Sequence, residues 1–286
     1  MRVLVTGAGG QLGAELCDVL DGAGDEVVPA GRERLDVTSR DQVLGAVLAL
    51  RPQVVFHCAA WTDVDACEGD PDRALLVNAL ACRHVAEACR LSGSHLVALS
   101  TDYVFSGDGV RPYVEWDEPD PRSAYGRSKL GGEREVTAGC PGATVVRTSW
   151  LCGASGANVV RTALRLAADP EQDLAFVDDQ VGSPTFTSDL APLLRRLGVA
   201  RVPGVFHATN KGATSWHGFV QEVLAAAGDD PSRVRAITTA ELVPARPAPR
   251  PAYSVLGNAA LPGLGFELLP DFRDPLARLV KELRNG

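Results

Sequence analysis

Tyr125 and Lys129 stand four positions apart in the stretch SAYGRSKLGG (123–132), in a chain whose only lysines are at 129, 211 and 281. That spacing puts both side chains on one face of a helix, a turn apart. A phenol that ionises near 10 is a poor acid–base catalyst at neutral pH; an ammonium beside it stabilises the phenolate and lowers that pKa. The same ammonium is a flexible point charge suited to hydrogen-bonding a ribose. Upstream, ALSTDYVFSG (98–107) brings Ser100 and Thr101 to the end of an apolar run. Their hydroxyls can there point at the same place as the tyrosine. An isolated YxxxK reads more plainly as a solvated helix face, so the other motifs must decide.

The second constellation is VLVTGAGGQLGAEL, where Gly7, Gly10 and Gly13 follow an apolar run and open a helical pattern. In a first βα turn such glycines let a pyrophosphate approach the backbone, and the helix N-terminus adds free N–H groups and partial positive charge. The acid that would bind the ribose 2′-hydroxyl of NAD is missing after the second strand, which ends PAGRER with Arg32 and Arg34 nearby. An arginine there suits a 2′-phosphate, which favours NADPH, with NADH as the alternative.

Stepping through the chain, RVLVT (2–6), EVVPA (26–30), QVVFHCA (53–59), HLVALS (95–100) and ATVVRTS (143–149) read as buried parallel strands. Helical patterns near 10–22, 39–50, 71–92 and 123–138 lie between them, the second capped by Thr38 or Ser39. This alternation predicts an α/β fold, a Rossmann-type doubly wound parallel sheet. Residues 1–150 are expected to form the NADP-binding domain. Residues 151–286 are expected to be mainly a smaller substrate-binding lobe, with some segments returning to the sheet. In that half helices are expected at 156–168, 187–198, 215–227 and 274–284, and the proline-rich VPARPAPRPAYSVL (243–256) as an ordered loop.

The net charge of −8 argues against a nucleic-acid or membrane-surface partner. No apolar run reaches the length of a membrane span, and the N-terminus reads as a strand, not a signal peptide. The seven cysteines (17, 58, 67, 82, 89, 140, 152) have no metal spacing, so reduced cysteines and a cytoplasmic location are expected.

The chain resembles the dTDP-4-dehydrorhamnose reductase family of extended short-chain dehydrogenases/reductases. The resemblance rests on TGAGGQLG, LDVTSRDQV, CAAWTDVDACE, VNALA, STDYVFSG, PYVEWDEPDPRSAYGRSKLGGE, VVRTSWLCG, DDQVGSPTFTSDLA and RPAYSVL, in one order along nearly the whole chain. It implies that Gly10, Gln11 and Leu12 line the cofactor pyrophosphate. Asp36 and Val37 would lie by the adenine, and Ala60, Trp61 and Thr62 along the rest of the cofactor. Thr101, Tyr125 and Lys129 would form the catalytic trio, while Thr101, Asp102 and Trp150 would touch a dTDP-linked keto sugar. Asn78 is read as structural. Glu15 matches a residue that binds magnesium at a dimer contact in some relatives; without visible partner carboxylates it is read as a solvated helix residue. No metal site is assigned, and a role for Mg²⁺ and a homodimer stay open. Two departures stand out: Cys152 where relatives have tyrosine, which bears on the sugar, and Ala30 where an acid is common, which bears on the cofactor.

The resemblance implies reduction of the 4-keto group of a dTDP-6-deoxyhexulose, with Tyr125 as proton donor. Two rivals remain at this point. One is a reductase of antibiotic deoxysugar synthesis, such as a dihydrostreptose synthase. The other is a non-catalytic NADP-binding partner like the regulatory subunit of methionine adenosyltransferase.

Overall fold

The computed structural model describes residues 1–285. Five strands of the N-terminal half, β1 (Arg2–Thr6), β2 (Glu26–Ala30), β3 (Val54–His57), β4 (His95–Thr101) and β5 (Thr144–Thr148), are almost wholly buried apart from β2. Their Val/Leu/Phe-rich runs have apolar residues on both faces, which only a sheet covered by helices on both sides can bury. All pair in parallel, and the order is β2-β1-β3-β4-β5 with a sixth strand, Gly204–His207, beyond β5. The order reverses between β1 and β3, the position at which open α/β sheets hold their ligands.

One face carries α2 (Arg40–Leu50, following α1, Gln11–Gly22), then α5 (Ala81–Ser92) and α6 (Ala124–Gly139), over a core that includes Val43, Val85, Leu96, Val136 and Val145. Ser39 caps α2 by accepting the Gln42 N–H. On the other face Leu12, Leu16 and Leu20 of α1 pack with Phe56, Val97, Leu190 and Leu194. The two leucines at 190 and 194 come from α8 (Thr187–Ala200), so the C-terminal half supplies both a covering helix and the sixth strand.

The helical pattern at 71–92 is one continuous helical run, preceded by α3 (Val64–Gly69): α4 (Pro71–Leu75) passes through a π-helical turn at Leu76–Leu80 into α5 without a break. Asn78, 1% exposed, occupies the π turn. Its Oδ1 accepts the Trp61 N–H at 2.8 Å, and its Nδ2 donates to the Trp61 carbonyl and to Ser128 Oγ, both at 3.0 Å. A side chain that replaces strand-like pairing for the loop after β3 explains the widened turn, a feature often found beside functional sites. Gly132 of α6 lies against this turn so closely that a Cβ would collide with the Asn78 carbonyl.

Beyond β5 the strands are short: β6 (Leu151–Cys152) pairs β9 (Thr185–Phe186), β7 (Leu174–Val177) pairs β12 (Val234–Ile237), and β8 (Val181–Gly182) pairs β11 (Thr214–Ser215), with β10 the sheet strand at 204–207. Helices α7 (Val159–Ala167), α9 (Trp216–Ala227) and α11 (Arg273–Asn285) bury Val160, Phe219, Val223, Phe272 and Leu276 against them, while α10 (Ala260–Gly263) is a single turn. The proline-rich segment after 243 forms no helix or strand; isolated bridges tie Tyr253 to Asp108 and Val181, and Leu256 to Tyr113. All seven cysteines are free thiols, and no helix among the described residues is long and apolar enough to cross a membrane.

Candidate active site

Three adjoining cavities run along the C-terminal ends of the strands. The first, 530 Å³, is walled by Gly7, Gly10, Arg32, Asp36, Val37 and Trp61. The second, 460 Å³, holds Gln11, Leu12, Gly13, Thr62, Thr101, Asp102, Tyr125, Lys129 and Trp150. The two share Gly7, Gly10, Cys58 and Ala60. The third, 400 Å³, shares Tyr103 and Trp216 with the second and is charged by Arg246 and Arg250. Every residue singled out in the sequence for cofactor, catalysis or substrate, apart from Arg34, therefore borders one groove.

The glycine cradle is built by contact distance. Gly7 has φ +68°, and a Cβ there would sit 2.6 Å from the Ala59 nitrogen; one on Gly13 would collide with the Gly7 carbonyl. Gly10 caps α1 with no side-chain bond, which leaves the first N–H groups of the helix to the groove. Gln11 borders the second cavity beside the cradle, with its side chain bonded across to the 153–158 loop. Its Oε1 accepts from the Gly153 N–H (3.2 Å) and Asn158 Nδ2 (3.0 Å), and its Nε2 donates to the Ala157 carbonyl (2.9 Å). The side chain ties the cradle to the 153–158 loop, so only its backbone is free for a phosphate.

At the far end Arg32 is exposed on the rim beside Glu33, whose carboxylate lies over Gly31. Glu33, three residues after Ala30, is an acid on the same rim that the sequence did not single out. Asp36 accepts from the Thr38 hydroxyl (2.7 Å) and N–H (3.0 Å), and these bonds hold its carboxyl below the usual range. Trp61 lies under Arg73, whose guanidinium carbon is 4.4 Å from the ring centre.

At the centre, α6 begins at Ser123, which caps it through the Gly126 N–H, and carries Tyr125 and Lys129 inward. Lys129 Nζ donates to the Leu99 carbonyl at 2.7 Å. Burial lowers its pKa and pushes the Tyr125 phenol well up. With the lysine turned to Leu99, the neighbour that favours the phenolate is the Thr101 hydroxyl. The expected lowering by the ammonium is therefore not present in this arrangement, and Tyr125 is a protonated phenol at neutral pH. Ser100 also departs from expectation: side chains alternate along a strand, and its hydroxyl turns away to donate to Glu133 Oε1 at 2.5 Å. Glu133 forms a two-pronged pair with Arg147 of β5 (2.8 and 2.7 Å) that locks α6 to the sheet.

Thr101 donates to Asp102 Oδ1 at 3.0 Å, while the buried Asp102 Oδ2 has no partner. Trp150 has φ +44°, a strained left-handed conformation for a non-glycine residue. It stacks on Trp216 with ring centres 3.5 Å apart and planes 6° from parallel, and Gly182 leaves room for the ring. Trp216, at the first position of α9 after its Ser215 cap, was not singled out in the sequence. Cys152 is 1% exposed within the C-terminal core and borders none of the three cavities, so its difference from relatives does not alter the groove wall directly. Glu15 is half-buried, not solvated: Thr187 donates to it at 3.3 Å and burial raises its pKa. Among the described residues no group of three or more His, Cys, Asp or Glu gathers as for a metal ion.

Comparison with known proteins places this geometry in context. The family model described as RmlD substrate binding domain matches residues 1–285. The chain is 47% identical to dTDP-4-dehydrorhamnose reductase of Streptomyces griseus, over 96% of this chain and 91% of that one. It is 46% identical to the probable dTDP-4,6-dihydroxy-2-methyloxan-3-one 4-ketoreductase of Streptomyces antibioticus, over 99% and 96%. Among solved structures it is similar to dTDP-4-dehydrorhamnose reductase of Bacillus anthracis in complex with NADP, with a TM-score of 0.94, 38% identity, and 98% and 99% of the two chains covered.

The buried carboxyl of Asp102 gives a pH test. Burial raises its carboxyl from 3.8 to about 6, against weaker lowering by Ser254 and Thr101, a difference worth about 3 kcal/mol. The folded protein holds this proton more tightly than the unfolded chain. That stabilisation is complete below pH 3.8 and lost as pH rises through about 6. Asp102→Asn keeps the shape and cannot titrate, so its stability relative to wild type should grow by about 3 kcal/mol between acid and alkaline pH. Urea unfolding of both proteins across that range measures it; a difference independent of pH would contradict the assignment.

Proposed function

The chain belongs to the RmlD substrate binding domain family, and on that premise we propose that it is an NADPH-dependent reductase of the 4-keto group of a dTDP-6-deoxyhexulose. The substrate named by the relatives is dTDP-4-dehydrorhamnose, which reduction converts to dTDP-L-rhamnose. One observation carries the reading. Tyr125, Thr101 and Lys129 converge in the middle cavity, between a glycine-walled cradle and a cavity lined by two arginines.

The cradle suits a dinucleotide. Gly7 and Gly13 allow the close backbone approach that a pyrophosphate needs, and the uncapped N-terminus of α1 faces it. Residues 1–150 supply this part, and 151–286 most of the sugar-nucleotide part. When bound, the nicotinamide supplies the hydride that reduces the carbonyl carbon. Tyr125, kept protonated by burial, gives its proton to the oxygen that becomes an alkoxide. Thr101 hydrogen-bonds the same oxygen. Lys129 holds the ribose and answers the charge left on the tyrosine. Trp150, stacked on Trp216, presents an apolar wall to the sugar, and Asp102 offers its free oxygen to a sugar hydroxyl. Tyr103, Arg246 and Arg250 then face the nucleoside diphosphate.

The near-equal identity to the Streptomyces antibioticus 4-ketoreductase favours a second reading, the same chemistry on another dTDP-4-keto sugar. The binding-partner alternative leaves Tyr125 without work.

Tyr125→Phe removes one hydroxyl and keeps the ring. The proton it gives meets charge that appears only in the transition state, so kcat should fall by about 10²–10⁴-fold while sugar-nucleotide KM changes much less. Full activity in that variant would mean another acid. For the cofactor, Arg32 favours the 2′-phosphate of NADPH, whereas Glu33 would favour the 2′-hydroxyl of NADH. Arg32→Ala should shift the NADPH-to-NADH preference by roughly ten- to a hundredfold toward NADH. KM values for both cofactors test it; an unchanged ratio would place Arg32 outside the contact.

A further inference from the structure

The six-residue helix α3 holds two carboxylates that reach different walls of the site, Asp65 the arginine segment and Glu68 the start of α6. Asp65 accepts from Arg250 Nη1 and Nη2 at 2.5 and 2.8 Å, from the Ala248 N–H at 3.1 Å, and from Arg246 Nη1 at 3.4 Å. It is the anchor of the irregular segment that puts both arginines on the third cavity. One carboxylate against two guanidiniums leaves that wall with net positive charge. One turn later, Glu68 Oε2 accepts the Ala124 N–H at 2.8 Å, at the start of α6, and Glu68 pairs with Arg127 at 3.6 Å. Between them Cys67 is fully buried in the cluster that includes Tyr125, Val64 and Tyr103. Tyr103 meets the Tyr125 ring edge-on, 5.6 Å between centres.

We propose that α3 couples the two ends of the site. Asp65 is a positioning residue that presents Arg246 and Arg250 to a nucleoside diphosphate, and Glu68 passes the resulting order to the first turn of the helix that bears Tyr125. An anion at the arginines shares a guanidinium fork with Asp65 and fixes the segment that Asp65 anchors. Because Asp65 and Glu68 lie three residues apart on one helix, fixing the first restrains the second. Ala124, the residue before Tyr125, is restrained with it. The proposal rests on the sugar-nucleotide reading of the third cavity.

The test uses the full chain and dTDP, a nucleoside diphosphate without the reacting sugar. Calorimetry gives its affinity, and amide hydrogen exchange reports on residues 123–128. Wild type should bind dTDP and show slowed exchange over 123–128. Asp65→Asn should bind dTDP at least ~10-fold more weakly, as expected for loss of charge-assisted positioning, and at saturation should show no slowing there. Glu68→Ala should bind dTDP within about twofold of wild type yet also lose the slowing, because the carboxylate it removes accepts from the Ala124 N–H and does not touch Arg246 or Arg250. NADPH affinity should be unchanged in both. Slowed exchange at 123–128 that survives in either variant at saturation would overturn the coupling. Wild type that binds dTDP with no change at 123–128 would overturn it while leaving the proposed function intact. Wild type that does not bind dTDP would overturn both. If Asp65→Asn fails to fold, Glu68→Ala and wild type decide.

Discussion

Gly7 approaches Ala59 so closely that a Cβ would lie 2.6 Å from the Ala59 nitrogen, and Gly13 is pressed as tightly on Gly7. This contact closes the space between the ends of β1 and β3, where the strand order reverses. Everything else in the groove is measured from it. Cys58 and Ala60, on the β3 side of the same contact, form the wall common to the first and second cavities. Any larger residue at 7 or 13 would push the α1 N-terminus away from the groove and remove the N–H groups that a phosphate needs. Gly7 is also left-handed, so a side chain there would be strained even with room.

The second constraint is the seat of α6. A helix carrying an acid must not drift by the ångström that costs much of its rate. Glu133 and Arg147, both about 5% exposed, clamp α6 to β5, with Ser100 completing the carboxylate and Phe105 under the guanidinium at 5.1 Å. Such a buried pair adds little net stability, because desolvation offsets the attraction, but losing one partner strands a charge at a cost of about 3–5 kcal/mol. Its value here is placement. The pair fixes the C-terminal half of α6, while Glu68 holds the N-terminal end. Tyr125 and Lys129 lie between those two anchors.

Local patterns made the parallel strands, the glycine turn and the shared face of Tyr125 and Lys129 legible, because each is set by neighbours a few residues away. The helix expected at 187–198 is α8, whereas the sixth strand was foreshadowed only as a segment returning to the sheet. What the sequence hid depends on pairing over long separations. Asp65 meets Arg250 across 185 positions and Gln11 meets Asn158 across 147, and neither pair has a local signature. The π turn at Asn78 inside the 71–92 helix reflects a tertiary demand, the bonds to Trp61 and Ser128, acting on a run whose propensity is ordinary helix. The Trp150–Trp216 stack likewise joins the sheet end to the first turn of α9. Glu33 was hidden for a different reason: an acid was sought at the strand end, and this one reaches the rim from the turn three residues on.

The central claim is that one groove sets a nicotinamide carbon against a sugar carbonyl with Tyr125 as the proton source. The most direct measurement is turnover of dTDP-4-dehydrorhamnose with NADPH deuterated at the transferring position of the nicotinamide, read by proton NMR of the product. The account predicts a single deuterium on C4 of the sugar and a new hydroxyl whose proton comes from the enzyme and solvent. Deuterium at any other carbon, or retained in the cofactor while the sugar is consumed, would contradict it.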